Sequence, residues 1–586
     1  MRGAKLFLEA VMHHGIDRAF GIVGGEASTL RFDETPGFNF YLTRHEFTAG
    51  MMADVYARLT GRPQMCYSTF GPGLTNMATG VCSAVLDRSP MLAVAAQIPR
   101  HERVFNYTHQ CIDNVAVIGP MCKFAHEIDS VEEIPSIVTE ALRQSRREVP
   151  GPSFISFPLD LMKEEISDAE AKRLLDGMGS TEPDPIPVAS TAELQWLAEQ
   201  IAAAKCPIVL AGNVTIRENA TAELRRFLET WKLPLVTSLA SKGMLPEDHP
   251  LHISGINKYV DGILRKPVLE QMFRQCDLMI LLGYDFGEDV KPVLWEVNPN
   301  LRTLALGPNG NPAERLCKPE RDVRGSLKKS LPVLTAMAPE GRTAHPELGF
   351  ALRASKAALM DLQQAPAGTL AMPYIVGQVR KAIGPTGILC SDIGLHKQFV
   401  GVLSPTFEPN TFMCSNGCGS FGFGLPAGMA AKMANPDRKV AVICGDGGFH
   451  SVSQDLEAAK RFNLPMVIVV VKDNAFGLIK YYQLLDKDNI FPGSVEFGDV
   501  DFVGLARANG WKGVRVTDTE KLAGELARAL ESNEHVLLEV PVQYEYRFAA
   551  PTGGAVPKVK ARNVAPRAEL APSARSHAEA PAGDEL

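Results

Sequence analysis

Two segments restrict this chain more than any others: Gly445-Asp446-Gly447-Gly448-Phe449 and Lys472-Asp473-Asn474-Ala475-Phe476-Gly477. Val440, Val442 and Ile443 run into the first glycine as a buried strand, and the apolar, β-branched run from Pro465 to Val471 reads as a second, parallel strand. Parallel neighbours need a long crossover, and the 27 positions from Asp446 to Asp473 suit one strand–helix–strand unit. Both acids then stand at the carboxyl ends of adjacent strands, where open α/β sheets collect their ligands. Glycines at 445, 447 and 448 let the backbone approach a diphosphate, and Asp446 and Asp473 offer hard oxygens to Mg²⁺. Asn474 is the competing second ligand if the register moves by one. Alone, the string also suits a glycine-rich turn followed by an acidic loop.

A second motif lies near the other end of the chain. Thr43-Arg44-His45-Glu46-Phe47-Thr48-Ala49-Gly50 leads into a helix on which Ala49, Ala53, Tyr56 and Ala57 share one face, with Glu46 closing the strand Phe40 to Thr43. Glu46 could be a first-turn acid that favours the helix dipole. Taken with the first motif, it resembles the thiamine diphosphate (ThDP) enzymes. The resemblance implies that Glu46 hydrogen-bonds the aminopyrimidine ring of ThDP and promotes loss of the thiazolium C2 proton. It implies that Asp446, Asp473 and the carbonyl of Ala475 hold Mg²⁺, with Lys472-Asp473 standing where the family usually has Asn-Asn. In Ser415-Asn416-Gly417-Cys418-Gly419-Ser420-Phe421-Gly422, Phe421 is the side chain that props the bent cofactor, and the backbone near Gly419 is the acceptor for its pyrimidine. His396 is either a donor to the diphosphate or a surface histidine.

The rest of the chain reads as an α/β protein of three doubly wound parallel-sheet domains. By family they are a pyrimidine-binding domain (1–165), a central domain (190–335) and a diphosphate-binding domain (368–545), followed by a tail (546–586) expected to be disordered. Residues 166–192 and 336–367 read as linkers. A net charge of −7 gives no basic surface for nucleic acid, and no apolar run is long enough to span a membrane. Eleven cysteines without a CxxC pattern suit reduced thiols in a cytoplasmic protein. The turn Ala211-Gly212-Asn213-Val214 lacks the glycines of a flavin-binding turn, so FAD is not expected. Gly417 to Gly422 spells Gly-x-Gly-x-x-Gly, but Asp437 falls in a turn rather than at the end of the next strand, which excludes a nicotinamide fingerprint. The resemblance also implies a homodimer or homotetramer whose sites lie between subunits, with Glu46 of one chain serving cofactor held by Asp446 of another.

Two reactions on small-molecule substrates are open. The chain shares the outline of the acetolactate synthases, which join 2-oxo acids, but carries His109-Gln110 where they tend to have Phe-Gln, Tyr482 in place of Trp, and Val23 in place of Pro. Leu86-Asp87-Arg88-Ser89-Pro90, Thr108-His109-Gln110-Cys111, Gly151-Pro152-Ser153-Phe154-Ile155-Ser156, Val260-Asp261-Gly262-Ile263-Leu264 and Gly447-Gly448-Phe449-His450-Ser451 are similar to carboxyethylarginine synthase. That resemblance implies conversion of glyceraldehyde 3-phosphate, by loss of water and phosphate, to an acryloyl-ThDP to which the α-amine of an acceptor such as L-arginine adds. His109 then suits proton transfer, beside Gln110, because imidazole titrates near neutrality. Tyr259 matches a pocket tyrosine, and Lys397 and Lys291 are, by register with the family's basic positions, the candidate cations for the substrate phosphate, the other reading being solvated surface lysines. His396 and Gln398 depart from that synthase. The alternative is an acetolactate synthase-type carboligase or decarboxylase acting on 2-oxo acids.

Overall fold

The computed structural model describes residues 1–25, 29–257, 259–264, 267–285, 294–310, 318–343, 370–487, 491–542 and 544. Lys291, most of the second expected linker and the tail 546–586 lie outside the described residues. The strands form three sheets of six. The first holds β1 (Arg18–Gly21), β2 (Asn39–Leu42), β3 (Gln64–Ser68), β4 (Met91–Gln97), β5 (Phe124–Glu127) and β6 (Pro152–Pro158). The second holds β7 (Pro207–Ala211), β8 (Leu235–Thr237), β9 (His252–Gly255), β10 (Leu278–Leu282), β11 (Arg302–Gly307) and β12 (Arg321–Arg324). The third holds β13 (Ile388–Ser391), β14 (Phe412–Met413), β15 (Val440–Gly445), β16 (Val467–Lys472), β17 (Lys512–Arg515) and β18 (Val536–Pro541).

All pairings among these strands are parallel. A parallel strand carries helices on both faces, which is why β4 and β16 are buried along their whole lengths and read as unbroken apolar runs. The first and third sheets share one order, β2-β1-β3-β4-β6-β5 and β14-β13-β15-β16-β18-β17. The central sheet runs β9-β8-β7-β10-β11-β12, the order of the dinucleotide-binding fold. The stretch 166–192, expected as a linker, contains a helix from Asp168 to Asp176. The Ser167 side chain caps it by accepting from the Glu170 amide, and Ala171 is buried. Its charged residues belong to a solvated helix face. Among the described residues, no helix is long and apolar enough to cross a membrane.

The first and third domains are fused through a common core. Ala49, Met52 and Ala53 from the helix Glu46–Thr60 bury themselves in the same cluster as Ala427 from the helix Gly424–Ala434, Phe423 just ahead of that helix, and Val442 of β15. Two carboxylates pin the seam. Asp455 accepts from the Arg44 amide (2.8 Å) and the Thr48 hydroxyl (2.7 Å), one on each side of Glu46. Asp87 accepts from the amides of Asn416 (3.0 Å) and Gly417 (2.9 Å) and the Ser415 hydroxyl (2.9 Å).

Within the first domain, the helices Glu46–Thr60 and Pro72–Leu86 touch through Gly50 and Gly80. A Cβ on Gly80 would lie 2.5 Å from the Gly50 Cα, so only glycine allows this approach. Gly80→Val should therefore lower stability by about 1–3 kcal/mol or prevent folding, while Thr79→Val on the exposed face should stay within about 0.5 kcal/mol, as read from urea unfolding midpoints.

Candidate active site

The order of the third sheet reverses between β13 and β15, and the loops that follow these two strands open a cavity of about 230 Å³. Asp446, the first residue of the short helix Asp446–His450, lies at its floor and is almost wholly buried. One carboxylate oxygen accepts from the amides of Asp473 (3.1 Å) and Asn474 (2.6 Å); the other accepts from the Gly447 amide (2.8 Å). Burial raises its pKa even against these bonds. Asp446 thus ties the end of β15 to the loop after β16.

Asp473 and Ala475 line the same cavity, as do His396, Gly419 and Phe421. Asn474 takes a left-handed conformation (φ 55°), and its amide donates to Asp446. Of the two residues in competition by register, it is Asp473 that faces the cavity. Gly445, Gly447 and Gly448 form the floor. A Cβ on Gly447 would meet the Phe476 ring at 2.8 Å, and one on Gly448 would meet an Asp392 oxygen at 2.4 Å. His396 is buried, and its Nε2 has no protein partner. Burial pushes its pKa down to about 4, and a neighbouring anion would draw it back up. Two carboxylates, a floor without side chains and an imidazole nitrogen left for a ligand fit a diphosphate held through a divalent cation.

Phe421 is 50% exposed and packs against Phe476, with ring centroids 5.8 Å apart. Its loop is held by Asp392, a residue not singled out from the sequence. Asp392 accepts from the amides of Ile393 (2.7 Å), Gly422 (3.2 Å) and Phe423 (3.0 Å), and burial pushes its carboxyl up to about 7. An acid directly after the strand β13 and ahead of Gly394 was the available signal.

Glu46 begins its helix rather than closing the strand before it, and is 6% exposed. The Asn76 side-chain amide donates to Oε2 at 3.1 Å, and Gly73 leaves room for Oε1, which a Cβ there would approach to 3.2 Å. The same Gly71-Pro72-Gly73 turn abuts the His109–Gln110 segment. Gln110 is left-handed (φ 56°), and a Cβ on Gly71 would lie 2.8 Å from its own Cβ. Glu46, Gln110 and the exposed His109 therefore gather round one turn after β3. None of the three lines the Asp446 cavity of the same chain.

Three other positions singled out from the sequence meet at the seam between the central and third domains. The hydroxyls of Tyr259 and Tyr482 are hydrogen-bonded, the Asn257 amide donates to Gln398 (3.3 Å), and the Tyr259 amide donates to Asn257 (2.9 Å). Lys397 is buried, and its ammonium donates to the Ser415 carbonyl at 2.9 Å; it does not line the cavity.

A glycine-floored cavity with two carboxylates at a switch point, in a chain that repeats the same sheet order around a buried glutamate, defines a cofactor-dependent α/β enzyme. The chain matches the thiamine pyrophosphate enzyme family through its N-terminal TPP binding domain (residues 1–117), its central domain (194–334) and its C-terminal TPP binding domain (392–540). It is 29% identical over 549 residues to acetolactate synthase of Bacillus subtilis (strain 168), covering 93% of each chain. It is 29% identical over 561 residues to the probable acetolactate synthase large subunit of Methanocaldococcus jannaschii, covering 92% of each. It is 30% identical over 553 residues to the acetolactate synthase large subunit of Parasynechococcus marenigrum (strain WH8102), covering 92% of this chain and 87% of the relative. The chain belongs to the ThDP-dependent enzymes and is acetolactate synthase-like. Of the two reactions raised by its motifs, these relatives favour the carboligase over the carboxyethylarginine synthase.

The folded-state pKa of Asp392 lies above its ordinary value, so between 3.8 and about 7 the folded chain holds a proton that the unfolded chain has lost. Its contribution to stability is therefore fullest at low pH and fades as pH rises through that window. Subtracting the urea midpoints of Asp392→Asn from those of the wild type at pH 5 to 8 should give a difference that falls with pH. A flat difference would show that Asp392 does not titrate there.

Proposed function

We propose that the protein is a ThDP- and Mg²⁺-dependent carboligase or decarboxylase of the acetolactate synthase type, acting on 2-oxo acids. The observation that carries this reading is the placement of the Asp446–Asp473 cradle and the buried Glu46 on two sheets of identical strand order, in a chain aligned with acetolactate synthases over nearly its full length. When bound, ThDP supplies a thiazolium carbanion that adds to the substrate carbonyl and accepts the charge left by decarboxylation.

The chain's own residues have separate tasks. Asp446, Asp473 and the Ala475 carbonyl hold Mg²⁺, and His396 faces the diphosphate. Gly419 and Phe421 shape the mouth of the cavity. Glu46, oriented by Asn76, holds or releases a proton at its carboxylate. His109, on the segment beside the Gly71-Pro72-Gly73 turn, serves proton transfer at the substrate, and Gln110 next to it offers hydrogen bonds. Tyr259 lines the substrate side, paired with Tyr482. Lys397 supports the Ser415 loop. The resemblance to ThDP enzymes supports a homodimer or homotetramer in which Glu46 of one copy serves cofactor held by Asp446 of another, and the absence of Glu46 from the cavity lining of its own chain is in keeping with that.

The second reading, triose phosphate converted and added to an amine such as arginine, is favoured by two details. His109 stands beside Gln110 where the acetolactate synthases tend to carry Phe, and the Tyr482 hydroxyl reaches Tyr259 where they tend to carry an indole. Purified protein with ThDP and Mg²⁺ should form acetolactate from pyruvate, and Glu46→Gln should lower the rate by about 10²–10⁴-fold. Phosphate release from glyceraldehyde 3-phosphate with an arginine adduct by mass spectrometry, and no acetolactate, would replace the carboligase with the second reaction. Turnover unchanged in Glu46→Gln would contradict both.

A further inference from the structure

We infer that Cys82 and Cys418 form a reversible dithiol–disulfide couple that ties the Phe421 loop to the helix supporting Glu46. Their sulfurs lie 3.9 Å apart, one on the helix Pro72–Leu86 of the first domain and the other on the loop of the third. Both are partly exposed. Among the described cysteines only Cys122 shares that exposure, the other seven being buried. A disulfide needs sulfurs about 2.05 Å apart, so closure asks for a movement of roughly 2 Å.

The loop can make that movement at one place. Gly417 is fixed, its amide bonded to Asp87 and its Cα so close to Leu86 that an added Cβ would lie 2.4 Å from the Leu86 carbonyl oxygen. Gly419 is packed more loosely: its amide donates to the Ser415 hydroxyl at 3.1 Å, but it is left-handed (φ 64°) and an added Cβ would meet nothing within 4 Å. The motion therefore falls on Cys418 and Gly419, beside the residues that line the cavity. The helix carrying Cys82 is the one whose first turns, through Gly73 and Asn76, contact Glu46. A link between the thiols fastens the loop at the mouth of this chain's cavity to the helix that supports its Glu46, and takes freedom from that loop.

The oxidant is a small disulfide such as oxidised glutathione. One thiol loses its proton and attacks a sulfur of the oxidant, which leaves as a thiolate. The second thiol, also deprotonated, then attacks the mixed disulfide and expels the other half. Two electrons pass from the cysteine pair to the oxidant, which becomes two thiols. Burial and the neighbouring Cys82 push the Cys418 thiol up to about 12, so the pair reacts slowly until one thiol is deprotonated, and either can attack first.

The link itself is independent of the proposed reaction; only its effect on turnover rests on that reading. The test equilibrates the full-length protein with ThDP and Mg²⁺ in glutathione buffers of rising oxidised fraction, then maps peptides and follows release of ThDP. We expect a Cys82–Cys418 linked peptide reversed by dithiothreitol, ThDP release slowed by at least about 5-fold, and neither effect in Cys82→Ser, which keeps the reduced enzyme's activity. Cys418→Ser should abolish the linked peptide independently. Absence of the peptide across the series, or a peptide with unchanged ThDP release, would overturn the inference. A linked peptide with slowed release in a protein that makes no acetolactate would leave the couple standing and remove only the carboligase.

Discussion

The site depends on one buried carboxylate. Asp446 sits where β15 gives way to a helix, and its two oxygens collect amides from its own turn and from the loop after β16. Those bonds fix the distance between two strand ends, and with it the facing of Asp473 and Ala475 into the cavity. The carboxylate is nonetheless raised in pKa by burial, so the protein alone does not fully compensate the charge it places there. A divalent cation would complete that compensation. The glycines around it follow from the same constraint, since a side chain at 447 or 448 would strike Phe476 or Asp392.

The repeated sheet order explains how one fold builds two unlike halves. In the third sheet the loops at the reversal carry acids and glycines; in the first, the strand ends carry Glu46 and the Gly71-Pro72-Gly73 turn. The two halves are not left to drift. Asp455 brackets Glu46 by bonding Arg44 and Thr48, and Asp87 seats the Ser415–Gly417 segment. Both acids are buried at the seam, where carboxylates with several donors are more directional than apolar contacts. The shared apolar core supplies the adhesion, and these bonds set the register between the domains.

Much of this was legible because parallel strands write themselves as apolar runs ending in glycine or acid. Val440 to Gly445 and the run that ends ahead of Asp473 were recognisable in that way. The glycine–acid spacing likewise located the cavity. What sequence could not supply were partners distant along the chain. Asp392 is one acid among many until its oxygens are seen to hold Gly422 and Phe423, and Asn76 acquires meaning only beside Glu46. Tyr259, Tyr482 and Gln398 were each noticed singly, but their meeting at one seam is a product of domain packing. Lys397 was singled out by register with the family's basic positions; its buried stem and the bond of its ammonium to the Ser415 carbonyl come from packing that register does not show. The helix 168–176 was hidden by its charge, having only one buried residue to betray a packed face.

Calorimetric titration of ThDP into the purified protein, with and without Mg²⁺ and in parallel with Asp446→Asn, tests the central claim most directly. The account predicts saturable binding that requires Mg²⁺ and is lost or severely weakened in the variant. Binding that is indifferent to Mg²⁺, or equal in Asp446→Asn, would contradict the assignment of this cavity as the diphosphate anchor.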